Sequence, residues 1–341
     1  MMGGGCQPTS SPLRNNVKPT EGEPSGSEPR NDGPKDNEPS GASSGNPFRV
    51  KEVIDVHVHV ISSNMPGTPK GGDPEDQEFG DTPEETARIV QAQMNSAGVT
   101  HSLCMPSRKL NSDDALGVAE VRRMAMLTPG LHPIGLADPE RFDDEHLEKV
   151  EESLKQKDIV ALKAFLGYLH YGPDAPGYRP YYELAAKYDI PVILHTGDTY
   201  SHLAKVRFAH PLLVDDIAVD FPDTNFVLAH MGNPWLMDTA EVIYKNNKPG
   251  FRENVWADFS GLLVGTAEIF EKYRQEGALK TVIEEVRKSM EFCERPDRLL
   301  YGSDWPLAPM KVYRDFIADL VPESMHQMVF HDNAKALFKL A

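Results

Sequence analysis

His57 and His59 stand one residue apart in a run, residues 53–60, where Val and Ile alternate with Asp55 and the two histidines. Val and Ile favour extended backbone, and a strand sends successive side chains to opposite faces. The alternation therefore predicts a strand with Ile54, Val56, Val58 and Val60 on one face and an acid with two imidazoles on the other. Imidazoles side by side on a rigid strand suit one divalent ion, and Zn, Fe, Mn, Co and Ni all accept them. Ordinary hydrogen-bonded strand histidines give the same pattern, so the metal reading depends on ligands arriving from elsewhere in the chain.

Further apolar runs end in ionisable groups: Lys163 in 159–165, His195 in 190–195, His230 in 225–230, Asp258 in 254–260 and Asp304 in 298–304. With 53–60, 98–106 and 131–137 these make eight expected strands. Helical stretches separate them, among them 82–98, with Thr82 as cap, Pro83 in the first turn and Glu85 three residues on, and 265–293, read as one long helix. Strand and helix alternating eight times predict an α/β fold, a closed (β/α)8 TIM barrel, over an open doubly wound sheet. No Gly-x-Gly-x-x-Gly follows a strand, which argues against a dinucleotide fold. Active sites of such barrels lie at the C-terminal strand ends, so these groups are expected to converge. Packing alone is a poor account of five such ends, because a buried charge is costly unless paired or bound to metal.

The 341 residues carry 35 basic and 52 acidic side chains, a net charge of -17, which argues against binding nucleic acid or an anionic membrane. Three widely spaced cysteines form no disulfide framework, and no run of 18 apolar residues is present. Residues 1–46 form one expected segment and 47–341 the barrel domain. Residues 7–46, rich in Pro, Gly, Ser, Asn and Glu, read as a disordered tether. The expected location is cytoplasmic; the alternative is lipid anchoring or export through Cys6 of "MMGGGC", should the true start lie upstream.

From residue 53 to 341 the chain resembles the amidohydrolase-related branch of the metal-dependent amidohydrolase superfamily, which includes aminocarboxymuconate-semialdehyde decarboxylase, lactonases and aromatic-acid decarboxylases. The resemblance rests on "DVHVH", "PVILHTG", "FPDTNFVLAHMGNPW", "NVWADFSG", "YGSDWP" and "NAKALF". It implies one divalent ion, Zn2+ by expectation, held by His57, His59, His195 and Asp304, with His230 facing the substrate. Asp304 and His230 would be the catalytic pair. Lys163 is the departure: binuclear relatives carboxylate a lysine there to bridge two metals, whereas in mononuclear ones a residue at that place positions substrate. A mononuclear site is expected, with Lys163 pairing with a substrate carboxylate.

Asp55 is expected to point into the barrel below the ion and orient an imidazole. Arg108 and Arg207 are candidates for a substrate carboxylate, Tyr168 lies on a loop over the pocket, and Trp235 either lines the pocket or packs the start of its helix. A metal-activated water with Asp304 as base predicts a hydrolase of a small organic acid derivative such as a lactone, ester or amide. Two alternatives stand: a nonoxidative decarboxylase of an unsaturated or aromatic acid, and a tethered binding protein with an inactive metal site. The expected partners are a small-molecule substrate and, from the branch, a second copy in a homodimer.

Overall fold

Parallel strands alternate with helices around a closed barrel. The computed structural model describes residues 48–60, 79–106, 114–250 and 252–340; the calls on the N-terminal tether, Cys6 and Arg108 lie outside them. The strands are β1 (Val53–Val58), β2 (Val99–Cys104), β3 (Leu131–Pro133), β4 (Gly135–Leu136), β5 (Leu162–Ala164), β6 (Val192–Leu194), β7 (Phe226–Leu228), β8 (Val255–Asp258) and β9 (Leu299–Leu300). β3 and β4 are one expected strand interrupted at Ile134, whose N–H still donates to the Cys104 carbonyl at 3.0 Å. The order runs β1-β2-β3 and β4 to β9, every pair parallel. A bridge from Val58 to Trp305, with the Val56 N–H donating to the Tyr301 carbonyl at 3.0 Å, joins the last strand position to the first. The eight expected strand positions are thus all filled in a (β/α)8 barrel.

Ten α-helices are described: α1 (Pro83–Ala97), α2 (Ala119–Leu127), α3 (Asp144–Lys155), α4 (Arg179–Tyr188), α5 (Leu213–Asp220), α6 (Leu236–Asn246), α7 (Ala267–Gln275), α8 (Ala278–Cys293), α9 (Met310–Leu320) and α10 (Asn333–Phe338). α1 starts as its sequence predicts, with the Thr82 hydroxyl accepting from the Glu85 N–H at 3.2 Å. The helix expected over 265–293 is two. Thr266 caps α7, and Gly277, with φ of 80°, turns the chain before α8 in a left-handed conformation that glycine adopts freely.

Two apolar layers hold the barrel. The inner one takes residues from every strand position, among them Ile54, Val56, Leu103, Ile134, Ile193 and Leu300, with Leu337 and Phe338 of α10 closing the same cluster. The outer one, between strands and helices, contains Val53, Val58 and Val60. Strict alternation in 53–60 therefore fails: Ile54 and Val56 face inward, Val58 and Val60 outward. Between Asp55 and Val58, three steps of β1 oppose two of β2, the mark of a bulge. The extra residue turns His57 and His59 into the barrel mouth and leaves Asp55 off that face. Asp55 does not orient an imidazole as expected. Its Oδ1 accepts from the His57 N–H at 3.1 Å and the Ser303 N–H at 2.9 Å, pairing backbone donors at the bulge.

Candidate metal and catalytic site

The bulge sets His57 and His59 beside Asp304, which follows β9 with φ of 57° and donates its N–H to the His57 carbonyl at 2.8 Å. Asp304 Oδ1 lies 3.5 Å from His57 Nε2 and 3.3 Å from His59 Nε2. Donors about 2.1 Å from a tetrahedral ion stand about 3.4 Å apart, whereas a charge-assisted hydrogen bond is about 2.7–2.9 Å. The spacing fits the edges of a coordination polyhedron. Burial, then the nearby Lys163 charge, pushes His57 down to about 3, so its ring is neutral. Burial raises the Asp304 carboxyl, but the surrounding imidazoles outweigh it and hold the group below the usual carboxylate range. Neutral imidazoles and an ionised carboxylate are the donors a divalent ion requires.

A second cluster, His57, His230 and Asp258, also brings three donor atoms within 4.8 Å. Here the oxygens already have partners. Asp258 Oδ1 accepts from the N–H groups of His230 and Ser260, both at 3.0 Å, and from the Ser260 hydroxyl, while Oδ2 lies 3.2 Å from His57 Nδ1. This is a carboxylate orienting an imidazole from behind, leaving Nε2 for the first cluster. Asp258 ends its apolar run in the sequence and Ser260 follows two residues on, a spacing that puts both on one face of an extended chain.

His230 takes φ of 62°, with its Nδ1 2.9 Å from Ser260 Oγ and 3.8 Å from Asp304 Oδ2. Gly261 makes room for it: a Cβ there would stand 2.7 Å from His230 Nδ1 and 2.8 Å from Asp304 Oδ2. His195 is buried at the end of β6, but Nε2 is 3.0 Å from the Asp198 carbonyl, and it belongs to neither cluster. Nδ1 is its unprotonated nitrogen when Nε2 donates. Lys163, on β5, is 1% exposed, and its Nζ meets no hydrogen-bond acceptor among the described residues. Burial lowers it to about 8 against the opposing attraction of Asp258 and Asp304.

These groups floor a cavity of about 250 Å3 walled by Phe165, Tyr168, Tyr200, Tyr273, Leu262 and Leu307. Tyr168 lies edge-on to His195 at 4.7 Å between centroids, its hydroxyl accepting from the Tyr200 N–H at 2.8 Å. Arg207 and Trp235 are not brought to this wall. Arg207 is exposed with its guanidinium over the Phe208 ring at 4.5 Å, and Trp235 packs on His210 at 4.7 Å, at the start of α6. Wall residues 261–264 lie in the loop after β8 and Tyr273 on α7, and none of the loop residues is charged.

Residues 54–340 match the sequence profile of the family described as amidohydrolase. No curated protein matches the chain. Among solved structures, a probable 2-pyrone-4,6-dicarboxylic acid hydrolase of Acinetobacter baumannii, with citric acid bound, is similar at TM-score 0.57 and 14% identity over 84% of this chain and 99% of that one. The 2,6-dihydroxybenzoate decarboxylase of Rhizobium gives 0.54 and 16% over 85% and 98%. The 5-carboxyvanillate decarboxylase of Novosphingobium aromaticivorans, with manganese and 3-methoxy-4-hydroxy-5-nitrobenzoic acid bound, gives 0.51 and 13% over 85% and 97%. At these identities the likeness is one of fold.

Proposed function

The chain belongs to the amidohydrolase family, and on that footing we propose that it is a metal-dependent, nonoxidative decarboxylase of a planar unsaturated or aromatic carboxylic acid. The observation that carries this reading is the Lys163 ammonium in the cavity floor, 5.5 Å from the centre of the Phe165 ring and without a hydrogen-bond acceptor among the described residues. A buried cation without an acceptor is costly, and a substrate carboxylate is the partner it lacks. The aromatic wall of Phe165, Tyr168, Tyr200 and Tyr273 suits a flat ring.

His57, His59 and Asp304, with His195 Nδ1 as a further donor, would hold a divalent ion; manganese in one structural relative makes Mn2+ as reasonable as Zn2+. Such an ion supplies a Lewis acid that holds and polarises substrate oxygens. Lys163 holds the carboxylate, and the walls keep the ring flat and dry. His230, whose Nδ1 is engaged by Ser260, has Nε2 for proton exchange with the substrate. A proton added to the carbon bearing the carboxylate lets the C–C bond break; its electron pair restores the unsaturated system as carbon dioxide leaves.

Hydrolysis of a lactone, ester or amide, the leading expectation from sequence, is the second reading. Asp304 favours it, since Oδ1 faces the two imidazoles and Oδ2 remains to accept a proton from water. The two readings separate on products. Aromatic and unsaturated acids, lactones and amides are incubated with metal-loaded protein in D2O and, separately, in oxygen-18 water. Decarboxylation gives carbon dioxide and one solvent deuteron on product carbon. A new carboxylate containing solvent oxygen, with no carbon dioxide, would overturn it.

A further inference from the structure

The structure assigns to Asp258 and Ser260 a shared positioning role: together they fix which ring nitrogen of His57 and of His230 carries the proton, and hence which nitrogen of each ring is left for the site. Both are fully buried where β8 ends. The Ser260 hydroxyl donates its one hydrogen to Asp258 Oδ1, so its oxygen offers only lone pairs to other neighbours. Two imidazole nitrogens meet that oxygen, His57 Nδ1 at 3.1 Å and His230 Nδ1 at 2.9 Å.

Each nitrogen has a second acceptor. Asp258 Oδ2 stands 3.2 Å from His57 Nδ1, and the Ser260 carbonyl 3.2 Å from His230 Nδ1. Neither Nδ1 faces a donor in this network, so a ring that carries one proton carries it on Nδ1. The consequence differs for the two rings. His57 Nε2 becomes a lone pair facing Asp304 Oδ1 across 3.5 Å, an arrangement that calls for a cation between them. His230 Nε2 becomes the nitrogen able to exchange a proton. One hydroxyl and one carboxylate thereby divide two similar rings into a ligand and an acid-base group.

The proton positions rest on the hydrogen-bond network alone, and only their use at the site rests on the reading of His57 as a ligand, so they are tested on metal-free, full-length protein. Nitrogen-15 histidine spectra, assigned with single-histidine variants, should show both His57 and His230 protonated on Nδ1. Asp258→Asn presents an amide N–H in place of an acceptor and should move the His57 proton to Nε2, weakening cobalt(II) binding on the order of 10- to 100-fold. Ser260→Ala should change the Nδ1 signals of both rings together, an effect that mere loss of packing would not produce. Should Asp258→Asn fail to fold, the parent spectrum and Ser260→Ala still decide. An Nε2 proton on either ring of the parent, or unchanged tautomers and cobalt affinity in a folded Asp258→Asn, would overturn the assignment. Correct tautomers in a parent that binds no cobalt would uphold it and instead count against the metal site.

Discussion

Lys163 has a cost and a use that separate experimentally. Its ammonium is buried without a hydrogen-bond acceptor among the described residues, so Lys163→Met should stabilise the substrate-free protein by about 1–3 kcal/mol. The same change should lower kcat/KM for any carboxylate substrate by about 100-fold or more, on the order of what losing a buried charged hydrogen-bonding partner costs. Denaturant unfolding and steady-state kinetics check the two halves; loss of both stability and turnover would mean that Lys163 is structural. The pH dependence has a definite sign. Burial lowers Lys163 to about 8, below its ordinary value of 10.5, so between those values the unfolded chain binds the extra proton. The parent should therefore gain stability relative to Lys163→Met as pH rises from 8 towards 10.5. The penalty is fully present below 8.

At the scale of the elements, β1 does the positioning. Asp55 accepts from two backbone N–H groups at its bulge, and each buried donor left without a partner costs about 1–3 kcal/mol. Asp55→Ala should thus destabilise the fold by about 2–4 kcal/mol and loosen metal binding through His57. Asp55→Asn, which keeps an acceptor oxygen, should be much milder; equal effects in denaturant titrations would show that the bulge does not depend on this oxygen. This strand also marks where sequence stops being sufficient. The run of Val and Ile made a strand legible, and strand ends in His and Asp made the barrel mouth legible. The bulge was not, because it depends on the register against β2 and on Ser303, 248 residues from Asp55. The break between α7 and α8 escaped for a local reason, since helical periodicity continues on both sides of Gly277. Arg207 failed as a site candidate because the position of a loop cation is set by its own contacts, here the Phe208 ring.

For the whole molecule, closure of the barrel brings residues from 57 to 304 to one cavity, and among the described residues the apolar layers that hold it are supplied from Phe48 onward. Removing residues 1–46 is accordingly expected to leave the melting temperature and turnover unchanged; a fall of more than a few degrees would assign that segment a part in the fold. Among the described residues no helix is long and apolar enough to cross a membrane. The proposed function depends on one divalent ion at the barrel mouth between His57, His59 and Asp304, with the Asp258 group behind. Diffraction from crystals of the full chain, collected on either side of the metal absorption edge after growth with Mn2+ or Zn2+, tests it most directly. A single anomalous peak is expected about 2.1 Å from His57 Nε2, His59 Nε2 and an Asp304 oxygen. A peak held instead by Asp258 and His230, a second peak bridged through Lys163, or no peak at all would contradict it.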